Sequence, residues 1–557
     1  MKPITRTLAI ASLAMCTLQP VFAQKYKLTL GKEVKEKVRP DRFIASDDSG
    51  NIYMSGVRLK WNVLVPLAVI NVYDGKIVKY VKKYDNRLRY LGEVPVTTPE
   101  DNGKRAITNG KLQLVTLLGM GGVTINNPSL QSISLHGKTY IVVSKKEKKT
   151  SRVMAMELDV ETGVAGSPVD LLKLKSGSSG LDSFTIRHSP DGTKALILAS
   201  VTTGTRKNGG FAAAVVDEHL RVLWSKEFTL SREKNKYQYK SFDVGNDGQL
   251  YILSRTQTNR RTAPELTLIR VNGEQAAPAI RSIKFGSTVI DDGYLTTVEG
   301  DKPMLVGFYK DKPRARGYQG IYFAAVEENG TVSNVRKQEF SNELIASVFN
   351  KKMARKAEKA DRKGADLYED EDYIITEYHK TTDGGTVMIA ENYYMQEFTR
   401  YSSKGGTTTT HFIHHYGDLL VSKIGSNGEL QFIRKIAKSN VIHEPAGIKP
   451  YPRDYSYVPF ENDHLFIFND NAEKTANTHA RKRRHELSTK SDATFVVKIR
   501  QDGSLEKDRI ATKKTTGKYT FNSLVSMYRV DENTLAFVMT KGRFRTKKTR
   551  IGTLTIN

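Results

Sequence analysis

Arg481, Lys482, Arg483 and Arg484 form the densest run of positive charge in the chain, with His485 directly after it. Cations this close together suit phosphate or sulfate, and arginine adds a planar fork that takes two oxygens at once. A second basic group contains Lys351, Lys352, Arg355 and Lys356. A third pair, Arg400 and Lys404, stands near Tyr393, Tyr394, Phe398 and Tyr401, whose rings suit stacking on sugars or bases. The plainer alternative for all three is a solvated loop, with the aromatics packing on a long hairpin.

The residues that suggest other chemistry fail on spacing. His411, His414 and His415, with His379 and His443, are the nearest thing to a metal set. On a strand, only even steps share a face, so His411 pairs with His415 and not with His414, and that pair is roughly 13 Å apart. Ordinary surface histidines are the expectation. His443-Glu444 and His485-Glu486 lack the second histidine of a zinc-protease helix. Gly119-Met120-Gly121-Gly122 lacks the third glycine and the helix of a dinucleotide loop, and Gly177-Ser178-Ser179-Gly180 has Leu181 where a nucleophile elbow needs glycine. Carboxylate pairs gathered from distant parts of the chain leave no trace in spacing. No catalytic residue, metal or cofactor is therefore assigned.

Composition narrows the setting. The formal charge is +27, which favours polyanionic neighbours such as nucleic acid, acidic glycan or the phosphates of an outer membrane, or simply a solvated surface. Lys2 and Arg6 precede the short apolar run Thr7–Leu18, and Val21-Phe22-Ala23 offers small residues for cleavage. Residues 1–23 thus read as a signal peptide, the mature chain starts at Gln24, and the protein is exported: periplasmic, secreted or held at the cell surface. A lipoprotein alternative at Cys16 has Met15 against it. Cys16 is the only cysteine, so the mature chain has no disulfide and no thiolate metal site. No later run is long and apolar enough to span a bilayer as a helix.

The elements that must position these residues are short strands. Asp418–Ile436 reads DLLVSKIGSNGELQFIRKI: an apolar strand, a two-residue reversal at Asn427-Gly428, and a return strand of alternating charge. Hairpins like it recur at Ala68–Tyr80 (turning at Asp74-Gly75), Val153–Leu172, Ala212–Phe228, Leu266–Phe285, Tyr322–Phe340 and Thr494–Ile510. They alternate with a second type having an apolar exit: Phe43–Ser55, Ser132–Ser144, Phe184–Ser200, Phe242–Ser254, Leu295–Phe308, Tyr373–Glu391, Tyr457–Phe468 and Leu524–Met539. A pair of hairpins makes four strands, the unit of a β-propeller blade. Runs that are apolar on both faces, such as Ala195–Ala199 and Phe495–Ile499, fit sheets stacked face to face. The last hairpin is followed by Arg550–Ile556 and then the chain ends. Its missing fourth strand is expected from Tyr26–Leu30, which closes the ring and removes an open edge.

Ser189-Pro190-Asp191-Gly192 followed by Ala195–Ala199 resembles the repeat of the WD40-like and TolB-type propellers of bacterial envelopes. The resemblance implies a binding or scaffolding fold and carries no functional residue across. The Trp-Asp and Gly-His dipeptides of true WD40 repeats are absent, and Trp61 and Trp224 are too few for a ring of tryptophan docking repeats. The expectation is an all-β propeller of eight four-stranded blades, with seven left open by the irregular segment 85–128. Residues 24–557 form one domain with insertions at 85–128, 341–370, 394–411 and 470–492. The second of these holds an amphipathic helix capped by Ser341. Function then falls to the inserted loops. The expected partner is an envelope or extracellular protein, or an acidic glycan or lipopolysaccharide. A hydrolase or lyase working on glycans or peptides from the axial pocket is the alternative.

Overall fold

In the computed structural model the chain forms eight antiparallel sheets arranged as a β-propeller. The described residues are 25–35, 39–66, 70–97, 108–117, 120–125, 130–135, 138–146, 150–175, 184–202, 208–231, 238–256, 265–273, 277–283, 285, 289–297, 303–310, 317–327, 331–347, 359, 362, 373–402, 407–426, 428–445, 453–470, 493–522, 527–541 and 548–557. Residues 1–23, expected from the sequence to be a signal peptide, lie outside them.

Blade 1 contains Arg39–Ser46, Ile52–Pro66, Ile70–Tyr84 and Tyr90–Pro95. Blade 2 contains Leu130–Leu135, Lys138–Lys146, Thr150–Glu157 and Val169–Lys175; blade 3, Phe184–His188, Lys194–Thr202, Asn208–Asp217 and Val222–Ser231. Blade 4 is Gln238–Val244, Leu250–Thr256, Glu265–Val271 and Ala279–Ile283; blade 5 is Val289–Thr297, Pro303–Lys310, Gly320–Val326 and Val332–Glu339. Blade 6 is Tyr373–Lys380, Thr386–Ser402, Thr407–Ile424 and Leu430–Ile436; blade 7 is Ser456–Phe460, Asp463–Asp470, Ala493–Ile499 and Leu505–Thr512.

Blade 8 is built from both ends of the chain. Its inner strand is the broken pair Thr520–Phe521 and Tyr528–Arg529, followed by Thr534–Lys541 and Lys548–Ile556. Tyr26–Leu30 then pairs antiparallel along Lys548–Ile556, from Tyr26 opposite Ile556 to Leu30 opposite Gly552. The closure expected from the repeat count is present. Tyr26 packs with Phe460, Leu535 and Leu554 in one core cluster, so the seam is apolar as well as hydrogen-bonded.

Stacking explains the composition of the middle strands. Ala195, Leu196, Ile197, Leu198 and Ala199 are all buried, because blades 2 and 4 cover the two faces of blade 3. Lys498 interrupts the equivalent run in blade 7 and meets Asp463 at 2.6 Å.

Two local expectations are corrected. Ile70–Tyr84 runs straight through Asp74-Gly75, which pair with Asn62 and Trp61. Asp-Gly permits a reversal without forcing one, and here pairing on both edges keeps the strand extended. The actual reversal is Tyr84–Tyr90, and Tyr90–Pro95, inside 85–128, is the fourth strand of blade 1. The reversal in Asp418–Ile436 is also longer than two residues: Gly425 N–H donates to Glu429 O, and Gly428 takes φ +76° to close the loop. Helix α1, Asn342–Ala346, begins as expected, with Ser341 Oγ accepting from Leu344 N at 3.1 Å and Ile345 buried. Lys351, Lys352, Arg355 and Lys356 beyond it lie outside the described residues.

Because strands alternate direction in every blade, the two ends of the ring differ. Reversals between first and second strands, and between third and fourth, lie on one face, the turn face. Second-to-third links and blade-to-blade links lie on the other, the connection face.

Candidate functional site

The first strands of the blades line the axis, and those of blades 3, 4, 5 and 6 are neighbours in that order. Each contributes one polar or aromatic side chain to a common group: Arg187, Asp243, Tyr294 and Tyr378. Asp243 is held by three donors: Thr297 N at 2.8 Å, Thr297 Oγ1 at 3.1 Å and Val244 N at 3.0 Å. The Arg187 guanidinium lies 5.3 Å from the Phe242 ring centre. Tyr294 and Tyr378 stack at 6.1 Å with their planes 15° apart.

Electrostatics ties the group together. Burial raises the Asp243 pKa, against the pull of its hydrogen bonds and of Arg187. Burial also raises both tyrosines, with the Asp243 charge adding to it. His188, next to Arg187, is held below its ordinary value by burial and then by the charges of Arg187 and Arg42. Such a group can orient an anionic or hydroxyl-rich ligand by charge, stacking and hydrogen bonding. A glycosidase needs two carboxylates of differing acidity about one bond. Asp243 is an axial carboxylate whose pKa is raised.

A second polar group lies between blades 6 and 7, on the connection-face side. Lys438 Nζ meets Glu391 Oε1 at 2.6 Å and Asp454 Oδ2 at 3.5 Å, and all three side chains are shielded from solvent. Asn440 Nδ2 donates to Asp454 at 2.6 Å, and Asp454 N donates to Glu391 at 3.1 Å. Lys507 donates to Ala437 O at 2.8 Å and approaches Asp470 at 3.6 Å. Burial pushes Glu391 up to about 7, opposed by Lys438. For Lys438 burial acts downward, but Glu391 and Asp454 outweigh it and the ammonium stays charged. This network closes the base of an extension in which Tyr393–Ser402 pairs with Thr407–Tyr416, and Asn440–Pro445 adds a third strand.

The extension revises the histidine expectation. His414 and His415 are buried, not exposed. His414 Nδ1 pairs with Tyr393 OH at 2.9 Å, and His415 stacks on Tyr394 at 4.3 Å with planes 4° apart. His415 and His411 do share a face by register, and the side chain of His411 is outside the described residues. No group of three metal-binding side chains occurs among the described residues. Gly121 and Gly122 lie in a strand, Met120–Ile125, paired with Thr108–Leu117, so no dinucleotide loop forms there.

The basic candidates fall mostly outside the described residues: Arg481, Lys482, Arg483, Arg484, Lys351, Lys352, Arg355, Lys356 and Lys404. Arg400 lies in the second strand of blade 6 opposite Thr409, with its side chain undescribed. The flanking strands still fix where each link leaves the ring. Segments 394–411 and 470–492 join second to third strands, and 341–370 joins blade 5 to blade 6. The strands Thr108–Leu117 and Met120–Ile125 extend the second and third strands of blade 1. The strands flanking 341–370, 394–411 and 470–492 therefore end at the connection face, whereas 85–128 begins with the turn-face reversal Tyr84–Tyr90 before the strands Thr108–Leu117 and Met120–Ile125 extend blade 1. The axial group had no signal in the sequence, because its members are separated by whole blades.

The sequence matches no protein-family description and no curated protein. Solved structures similar in part include the polysaccharide lyase Uly1, at 11% identity and TM-score 0.32, covering 77% of this chain and 90% of that one. The β-propeller domain of the Trilobed protease from Pyrococcus furiosus has 12% identity and TM-score 0.32, covering 86% and 97%. The Penicillium chrysogenum α-L-arabinanase has 8% identity and TM-score 0.26, covering 73% and 98%. Likeness at this level transfers no residue and no activity.

Proposed function

We propose that the protein is an exported binding module that holds an envelope or extracellular partner against its connection face, with a polyanionic partner favoured. The observation that supports this reading is the strand order, by which the strands flanking 341–370, 394–411 and 470–492 all end on one side of the ring. Blades supply a rigid frame and the links supply recognition. Replacing Arg481, Lys482, Arg483 and Arg484 with glutamine tests it, with heparin as the probe. Affinity is expected to fall by roughly tenfold or more, and its dependence on salt to flatten. Salt-independent binding by the unaltered protein would remove the polyanion from the reading.

The axial group favours a second function, a hydrolase or lyase acting on glycans or peptides, with Asp243 as the acid beside Arg187, Tyr294 and Tyr378. Asp243→Asn is then expected to abolish product release while leaving heparin binding intact. Polysaccharide digests that release no product with the unaltered protein exclude it.

A further inference from the structure

We infer that Lys438 and Asp454 are joined by an intramolecular isopeptide bond, a site of self-modification with Glu391 as its proton carrier. The network between blades 6 and 7 has the parts such a bond needs. An amine and a carboxyl side chain are in contact, with Lys438 Nζ 3.5 Å from Asp454 Oδ2. A second carboxyl touches both reactants: Glu391 Oε1 lies 2.6 Å from Nζ, and Glu391 Oε2 accepts from Asp454 N at 3.1 Å. A donor is aimed at the carboxyl to be attacked, with Asn440 Nδ2 at 2.6 Å from Asp454 Oδ2.

A permanent ion pair is the simpler alternative, and burial argues against it as the end state. Side-chain exposure is 0% for Lys438 and Glu391 and 2% for Asp454. Neither Nζ nor Glu391 Oε1 makes an aligned hydrogen bond in spite of their closeness. The Tyr416 ring centre is 5.6 Å from Nζ, and Tyr455 is buried next to Asp454 in the chain. Charges held in such a place keep a desolvation penalty that an uncharged amide and a released water do not. Burial also raises Glu391, which suits a carboxyl that must both take and give a proton.

The step balances without any other reagent. The resting network is ionic, and one proton passes from Lys438 Nζ to Glu391, which frees the nitrogen lone pair. Nζ attacks Cγ of Asp454 and forms the N–C bond, while Glu391 gives its proton to Oδ1 and Asn440 stabilises the charge that gathers on Oδ2. Glu391 then takes a second proton from the nitrogen and passes it to Oδ1. The Cγ–Oδ1 bond breaks with its electron pair, the C=O bond re-forms at Oδ2, and water leaves. An ammonium and a carboxylate have become an amide and one water, with nothing oxidised or reduced.

The bond staples the link between two blades, because Lys438 follows Leu430–Ile436 of blade 6 and Asp454 precedes Ser456–Phe460 of blade 7. It encloses Asn440–Pro445, the third strand of the blade 6 extension. A disulfide cannot serve here, since Cys16 is the only cysteine in the chain. Like a disulfide, the cross-link restricts the unfolded chain by closing a loop within it.

Peptide mass mapping of the purified full chain tests the inference. Trypsin cuts after Arg453 and so parts Lys438 from Asp454 in an unlinked chain. The expected product is the two peptides joined, lighter than their sum by one water, with the chain uncut at Lys438. Lys438→Arg keeps the charge but cannot form this amide, and Glu391→Gln cannot carry the proton; each is expected to give separate peptides. Separate peptides from the folded, unaltered chain overturn the inference whatever the variants do. A link through Glu391 instead of Asp454, or a link formed as completely in Glu391→Gln, also overturns it.

Discussion

At the scale of single residues, one turn is built twice without glycine. Asp85-Asn86-Arg87-Leu88-Arg89 and Asp217-Glu218-His219-Leu220-Arg221 both place leucine in the left-handed region, at φ 59° and 62°. In each, the aspartate accepts from the backbone N–H groups two and four residues on, and the arginine Nε donates to its second oxygen at 2.6 Å. Left-handed backbone costs a leucine about 1–2 kcal/mol, while burying its side chain returns about 2–3 kcal/mol. Leu220→Gly relieves the first term and loses the second, so a net loss near 1 kcal/mol is expected. Leu220→Ala keeps the strain and loses the burial, so it ranks lowest in urea unfolding. A ranking with glycine above leucine contradicts this balance. His464 is a second such case. Burial between blades 6 and 7 lowers its pKa to about 4, with Tyr457 OH at 3.0 Å from Nδ1. The unfolded imidazole binds its proton near pH 6.5, so between these values the unfolded chain holds more protons and stability falls as pH falls. The expected loss across that window is about 2–3 kcal/mol, and His464→Asn should flatten that part of the stability–pH curve.

At the scale of elements, the contact between blades 6 and 7 joins an apolar core to a buried polar network. Val387, Leu419, Phe466 and Phe495 form the ordinary core of this contact, and the Glu391–Lys438–Asp454 network lies beside it. Removing one member strands the others. Lys438→Ala is expected to cost about 3–5 kcal/mol in urea unfolding, and Lys438→Met with Glu391→Gln to recover part of it. Equal losses in the single and double variants contradict the assignment. Glu391 also opposes His464 in its pH response. Its folded pKa of about 7 lies above the unfolded 4.5, so its contribution rises as pH falls through that interval. The blade 6 extension stands on this network.

At the scale of the whole molecule, closure depends on one short segment. Tyr26, Leu28 and Leu30 pack against the core of blade 8, and their backbone covers the edge of Lys548–Ile556. Beginning the chain at Gly31 exposes that edge, and the melting temperature is expected to fall by roughly 10 °C or more, with aggregation through the open strand. A synthetic peptide of residues 25–35 added in excess should restore much of the loss. No rescue, with a melting temperature unchanged by truncation, would mean that the ring closes by other means.

Blade number and closure were legible because both rest on local patterns: hairpins with buried alternation, and one strand too few at the end of the chain. The Ser341 cap was legible for the same reason. The straight course of Ile70–Tyr84 was not, since Asp74-Gly75 allows either geometry and only pairing with neighbours on both sides decides between them. The two leucine turns left a repeated Asp-x-x-Leu-Arg signal that turn-residue statistics pass over. Arg187, Asp243, Tyr294 and Tyr378, and likewise Glu391, Lys438 and Asp454, have no mutual signal in the chain. Their proximity is created by the stacking of sheets. Residue type and alternation set the blades; which side chains meet across them was decided only when the circle closed.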